Sequence, residues 1–178
     1  MTFEEAMILV RTRGSELLLS DIEAQAMYNV LTQHPLGSRV VEIGCHWGRS
    51  SALIAQVAKT RLFKLLFIDP FTGEPDIAAS WMRMMTNLDV PFTLACTRSE
   101  LVQANNIDLL YLDGDHNESQ VKIDCKTFLP HLEKGGYLLA HDYRRNSLPG
   151  ITKALDASIG SLDFIGVFDS LGIWRKSN

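Results

Sequence analysis

The chain holds only three cysteines, Cys45, Cys96 and Cys125, scattered over 178 residues. An odd, dispersed set makes no disulfide framework and suits reduced thiols, so a cytoplasmic protein is expected. Basic residues are in no excess either. Seventeen Lys and Arg stand against 21 Asp and Glu, a net charge of −4 with no long basic run, which argues against a nucleic-acid partner. No apolar run approaches the ~20 residues that span a bilayer, so no membrane segment is expected. The opening stretch, Met1 to Arg13, carries Glu4 and Glu5 where a secretory signal would be basic. Repeats, low-complexity segments and linkers are also missing. What remains, 46% hydrophobic and 21% charged, is the composition of one ordinary globular domain over residues 1–178, with a helical segment to residue 37 and a core from residue 38.

Within that core, short apolar runs alternate with helical patterns. Ser20-Asp21-Ile22-Glu23 reads as a capping box. The helix after it has Ile22, Met27, Val30 and Leu31 on its apolar face and closes at Pro35. Strands are expected at Arg39–Ile43, Leu65–Ile68, Phe92–Cys96, Ile107–Leu112 and Tyr137–Ala140, with helices near 49–58 and 77–87. Asn117-Glu118-Ser119-Gln120 resembles a second capping signal. Val121, Cys125, Phe128, Leu129 and Leu132 then form one helical face, bent or ended by Pro130 and stopped at Lys134-Gly135-Gly136. A last helix at 151–158 precedes strands at Phe164–Phe168 and Gly172–Trp174, joined by the hairpin-like Asp169-Ser170-Leu171. Alternating strands and helices predict right-handed βαβ units. The fold class is therefore α/β, a doubly wound, mainly parallel seven-stranded sheet with helices on both faces and an antiparallel C-terminal hairpin strand.

The most informative stretch is Val40 to Ala55. An apolar run ends in an acid, Glu42, a turn follows with two glycines, Gly44 and Gly48, and then a helix begins. In an α/β sheet this is where a nucleotide-like cofactor sits. Glycine lets the backbone approach the ligand, amides at the helix start donate to an anionic group, and Ser50 adds a hydroxyl. Asp69, 25 residues after Gly44 at the next strand end, is placed to accept hydrogen bonds from a ribose. The nicotinamide fingerprint G-x-G-x-x-G needs a second glycine where His46 stands, so a cofactor without a pyrophosphate is favoured. A Tyr-x-x-x-Lys dehydrogenase pair is absent as well.

Glu42, Gly44, Gly48 and Ser50, with Asp69 and Asp113-Gly114-Asp115-His116, resemble the class I S-adenosylmethionine-dependent methyltransferases, which have a Rossmann-like core. The match is best to small-molecule O-methyltransferases related to catechol O-methyltransferase, and closer still to a macrolide-sugar and cephalosporin-hydroxylase-like branch. It covers residues 20–143. The resemblance implies that Glu42, Gly44, Cys45, His46, Gly48 and Ser50 surround the cofactor, the methionine part lying against Glu42, Gly44, His46 and Ser50. It puts Asp69 on the ribose hydroxyls, Ser99 near the adenine and Asp113 at the cofactor's edge. Trp47 either touches the cofactor or a partner, or packs the turn.

Asp113 ends one strand and His141-Asp142 ends the next, so the three open onto one crevice. Two carboxylates and an imidazole there suit one divalent cation. The oxygen ligands favour Mg²⁺, while the imidazole also admits Mn²⁺, Fe²⁺ or Zn²⁺. The related metal-dependent enzymes carry an acid or amide where His141 stands, which makes this site less negative. His116, with an ordinary pKa of ~6.5, is the candidate general base, and Asp115 is a cap or an orienting acid. Asp113, His116 and Asp142 form the catalytic set. The reaction expected is methyl transfer to a hydroxylated small molecule with metal assistance. A non-catalytic cofactor-binding module, a nicotinamide oxidoreductase and a metal-dependent hydrolase are the rivals. Trp81-Met82-Arg83-Met84-Met85 is a lid or a core face, and Arg144 and Arg145 meet substrate or solvent. With few insertions to deepen the pocket, a homo-oligomer in which a partner subunit completes it is a further expectation.

Overall fold

The computed structural model describes residues 1–12 and 18–177; Arg13, the end of the opening acidic stretch, lies outside them. In chain order the elements are α1 (Phe3–Val10), α2 (Asp21–Gln33), β1 (Arg39–Ile43), α3 (Arg49–Arg61), β2 (Lys64–Ile68), α4 (Pro75–Leu88), β3 (Phe92–Ala95), β4 (Ile107–Leu112), α5 (Glu118–Phe128), β5 (Leu132–Ala140), α6 (Pro149–Ser158), β6 (Asp163–Phe168) and β7 (Leu171–Arg175). The seven strands form one sheet in the order β3-β2-β1-β4-β5-β7-β6. β1 to β5 run parallel, and β7 and β6 add the antiparallel edge, as the sequence predicts.

Side chains alternate across a strand, so each strand feeds two cores. Val40, Leu65, Phe67, Leu109, Tyr111, Leu139 and Ile173 face the core built with α1 to α4. Val41, Ile43, Ile68, Leu110, Leu112, Leu138, Ala140 and Trp174 face the core built with α5 and α6. Burial on both faces explains why these strands read as unbroken apolar runs. The strand order reverses between β1 and β4, which opens a crevice at the carboxyl ends of the strands. There the ladder runs one residue past each strand. Gly44 donates to the Ile68 carbonyl at 2.9 Å, Asp113 to Ile43 at 2.8 Å and His141 to Leu112 at 3.0 Å, so the residues that begin the loops are held as firmly as the strands.

Four expectations need correction. Ile22 is 61% exposed, because Glu23 turns inward from the first turn of α2 and rotates its neighbour to solvent. Asn117 makes no side-chain cap to α5. Asp115 serves that corner instead, its Oδ1 accepting from the Asn117 amide at 2.9 Å. Finally, α5 ends at Phe128 and Leu132 already belongs to β5. The glycine pair at 135–136 is thus not a helix stop. It lies inside β5, whose pairing with β4 shifts register, and a Cβ at Gly136 would stand 2.9 Å from the Asp108 carbonyl oxygen. The pair marks an irregular strand crossing close to its neighbour. Trp81, Met84 and Met85 are buried, so that segment of α4 is a core face.

Candidate active site

Gly44 fixes the geometry of the crevice. Its φ is +87°, and a Cβ there would lie 2.0 Å from the Asp113 carbonyl oxygen. Only glycine lets the β1–α3 turn pass this close to the end of β4. The turn is then tied from the other side by Asp69. Its Oδ2 accepts the amides of Cys45 at 2.7 Å and His46 at 3.0 Å, and its Oδ1 accepts that of Phe71 at 2.7 Å. The carboxylate expected to take up a ribose is therefore also the strut of the turn. His46 has a φ of +42°, a left-handed turn residue without being glycine. Gly48 caps α3 with φ +83°.

Below the turn, Glu42 is wholly buried. One of its carboxylate oxygens accepts the Ser50 hydroxyl, so that hydroxyl points at the acid rather than at an anion. The other, Oε2, has no hydrogen-bond partner. Burial pushes this carboxyl up to about 8, against the pull of the Ser50 and Ser51 hydroxyls. Cys45 is buried and its thiol is pushed up, first by burial and then by Glu42 and Asp69.

Across the crevice, Asp113, His116, His141 and Asp142 converge, backed by Glu23 and Tyr111. His141 lies between two acids, its Nδ1 3.2 Å from Asp113 Oδ1 and its Nε2 3.3 Å from Glu23 Oε2. Nδ1 is also 3.7 Å from Asp142 Oδ2. His116 Nε2 reaches Asp142 Oδ2 at 3.5 Å and Asp113 Oδ1 at 3.7 Å. The Tyr111 hydroxyl donates to Asp113 Oδ2 at 3.2 Å. Burial works against a charged His141, but the carboxylates on either side outweigh it and hold the ring above its ordinary value. His116 is raised too, chiefly by the Asp113 carboxylate beside it. Burial would raise Asp113, yet the two imidazoles bring it below the usual carboxylate value. Asp142 (φ +57°) and Arg144 (φ +61°) are both left-handed, a backbone that costs roughly 1 kcal/mol apiece and clusters at functional sites. Ligand atoms of Asp113, His141 and Asp142 all lie within 4.8 Å of one another. Two hard oxygens and one imidazole fit a six-coordinate divalent ion with open positions.

The crevice between these two halves measures about 690 Å³, the size of a small-molecule site. Gly44, Cys45, His46, Gly48, Ser50, Asp69, Ser99, Asp113, His116, His141 and Asp142 all line it. Glu42 lies beneath. The turn, Asp69, Ser99 and the acid–histidine cluster, far apart in sequence, are thus brought together. Arg145 also lines the crevice, with its guanidinium paired to Asp142 at 2.6 Å. Arg144 lies over the Tyr143 and Phe164 rings. Sequence reasoning missed Asp124, a buried acid whose Oδ1 accepts from Ser99 and, at 3.0 Å, from Gln120. It also saw Glu23 only as a cap. A buried-face acid about two turns into an amphipathic helix was the available signal for Asp124; nothing local marked Glu23.

A doubly wound sheet with a glycine turn at its switch point and an acid–histidine cluster opposite defines a transferase of the class I methyltransferase fold. A methyltransferase-domain family model matches residues 41–143, more than half of the chain, and the protein belongs to that family. Solved structures agree on the fold. The O-methyltransferase NovP superposes with a TM-score of 0.69 at 13% identity, covering 88% of this chain and 80% of NovP. CalS11, a TDP-rhamnose 3'-O-methyltransferase of calicheamicin biosynthesis, gives 0.69 at 14% identity over 99% and 93%. The methyltransferase PaMTH1 of Podospora anserina, solved with S-adenosylhomocysteine, gives 0.69 at 18% over 99% and 88%. No curated protein is significantly similar in sequence. Among the described residues no helix is long and apolar enough to cross a membrane.

Proposed function

We propose that the protein transfers the methyl group of S-adenosylmethionine to a hydroxyl of a small molecule with divalent-metal assistance. The observation that carries this reading is one crevice with the Gly44 turn on one wall and His116, set against Asp113 and Asp142, on the other. The family supplies methyl transfer, and S-adenosylhomocysteine in PaMTH1 supports the cofactor. NovP and CalS11, both O-methyltransferases, support a hydroxyl acceptor.

In this reading the Gly44–Gly48 turn seats the methionine part. The unpartnered oxygen of Glu42 offers an acceptor beneath that wall for an ammonium, whose positive charge would favour the ionised carboxylate. Asp69 keeps one acceptor site beyond its three amide bonds for a ribose hydroxyl, a carboxylate having about four such sites. Ser99 borders the adenine. Asp113, His141 and Asp142 would hold a divalent ion, which lowers the pKa of an acceptor hydroxyl. His116 takes the hydroxyl proton onto Nε2. The oxygen attacks the methyl carbon as the carbon–sulfur bond breaks, leaving the methyl ether and S-adenosylhomocysteine. The protein mainly provides proximity and alignment. The test is a screen of hydroxylated acceptors with methyl-labelled S-adenosylmethionine. His116→Ala is expected to lose at least about 100-fold in turnover while binding the cofactor normally. Equal activity in that variant removes His116 as base, and labelled product that carries the methyl on nitrogen or carbon removes the O-methyl reading.

A further inference from the structure

Glu23 belongs to the first turn of α2, and its capping role needs little of it. One oxygen, Oε2, accepts the Ser20 amide at 2.8 Å. Yet the side chain is almost wholly buried, and both oxygens do more. Oε1 accepts the amide and the hydroxyl of Ser170 at 3.0 and 2.7 Å. Oε2 lies 3.3 Å from His141 Nε2. An acid 118 residues away in sequence therefore stands behind the one imidazole of the candidate metal cluster, on the side away from Asp113 and Asp142. With Oε1 occupied by two Ser170 donors, Oε2 is fixed in place as an acceptor. It accepts from the Nε2 N–H, so a metal ion that displaces the Nδ1 proton would meet the Nδ1 lone pair on the side of Asp113 Oδ1 and Asp142 Oδ2.

We propose that Glu23 is the positioning residue of a divalent transition-metal site, holding His141 as the tautomer that binds metal through Nδ1 together with Asp113 and Asp142. A metal-binding histidine that donates its other ring N–H to a carboxylate is oriented and made more basic by it. An imidazole in the donor set favours Mn²⁺, Co²⁺ or Zn²⁺ over Mg²⁺. The inference rests on the metal-assisted reading above and names the ion class and the residue that selects it.

The test needs neither acceptor nor turnover. Chelator-treated, desalted protein is titrated with Mn²⁺, followed by the resonance of the free ion, and with Mg²⁺ in competition. Native protein is expected to bind Mn²⁺ at least about tenfold tighter than Mg²⁺. Glu23→Gln is expected to weaken Mn²⁺ by about 10- to 100-fold, with S-adenosylmethionine affinity within about twofold of native. In protein carrying ¹⁵N-histidine and Zn²⁺, the long-range ¹H–¹⁵N spectrum is expected to show His141 metallated at Nδ1 and protonated at Nε2. The resonance is assigned by its loss in His141→Ala. This last spectrum uses the native chain, so it decides even if Glu23→Gln fails to fold. Metallation at Nε2, tighter Mg²⁺ than Mn²⁺, an unchanged Mn²⁺ affinity in Glu23→Gln or no metal binding each overturns the proposal. A protein that binds Mn²⁺ as expected but not S-adenosylmethionine would overturn the methyltransferase reading and leave the Glu23 site standing.

Discussion

Gly44 and Gly37 have nearly the same backbone, φ +87° and +79°, but different surroundings, and alanine at each separates conformational strain from close approach. At Gly37 a Cβ would meet nothing within 4 Å, so Gly37→Ala costs only the left-handed backbone, about 1 kcal/mol. At Gly44 the Cβ would stand 2.0 Å from Asp113 O, 2.4 Å from Asp113 C and 2.8 Å from Gly114 Cα. No side chain can swing away, because every obstacle is backbone. The end of β4 must retreat by about 1 Å, straining the 2.8 Å bond from the Asp113 amide to Ile43. Overpacking adds about 1–3 kcal/mol and a compromised buried hydrogen bond about 1 kcal/mol, for a total near 3–5 kcal/mol. In a domain of this size each kcal/mol moves Tm by about 2–4 °C. Calorimetric melting is therefore expected to fall by about 2–4 °C for Gly37→Ala and by about 6–20 °C for Gly44→Ala. The second variant also displaces Asp113 and is expected to lose S-adenosylmethionine affinity at least tenfold. Equal, small Tm shifts with unchanged cofactor binding would refute the close approach of turn and β4 on which the site depends.

Two further predictions concern pH. Glu42 is raised by burial to about 8 from an ordinary 4.5. The folded state therefore holds its proton more tightly than the unfolded chain, and stability present below pH 4.5 is lost as pH rises toward 8. Glu42→Gln mimics the protonated form. In cofactor-free protein its urea midpoint is expected to match native at pH 4.5 and to exceed it by pH 8, a gap of about 5 kcal/mol at full effect; no growth of the gap with pH contradicts the burial argument. His34 shifts the other way. It is buried with Nε2 unpartnered and is lowered by burial, with Arg175 adding to the effect and Asp108 opposing it. Its unfolded form takes a proton first, so native protein is expected to lose stability relative to His34→Leu as pH falls below about 6.5. A gap that stays constant between pH 7.5 and 5 would contradict it.

Much of this arrangement was legible in the residues themselves. Apolar runs ending in Glu42, Asp69, Asp113 and His141-Asp142 marked the strand ends, and a parallel sheet gathers such ends into one crevice. The hairpin at Asp169-Ser170-Leu171 was equally plain. β5 was misread because a glycine pair after Pro130 carries the same local signal whether it stops a helix or relaxes a strand crossing, and only the Asp108 carbonyl across the sheet decides between them. Asp69 and Ser50 were read as ligand groups, while the structure also gives them internal partners that no spacing reveals. Glu23 was hidden for a related reason. The capping box already accounts for a glutamate at that position, and its other partners, Ser170 and His141, are over 100 residues away.

The central claim is that the crevice takes S-adenosylmethionine, and calorimetric titration of the purified protein tests it most directly, with NAD as control and each run with and without a divalent ion. The account predicts micromolar binding of S-adenosylmethionine and none of NAD. Binding of NAD alone, or of neither ligand under any of these conditions, would contradict it.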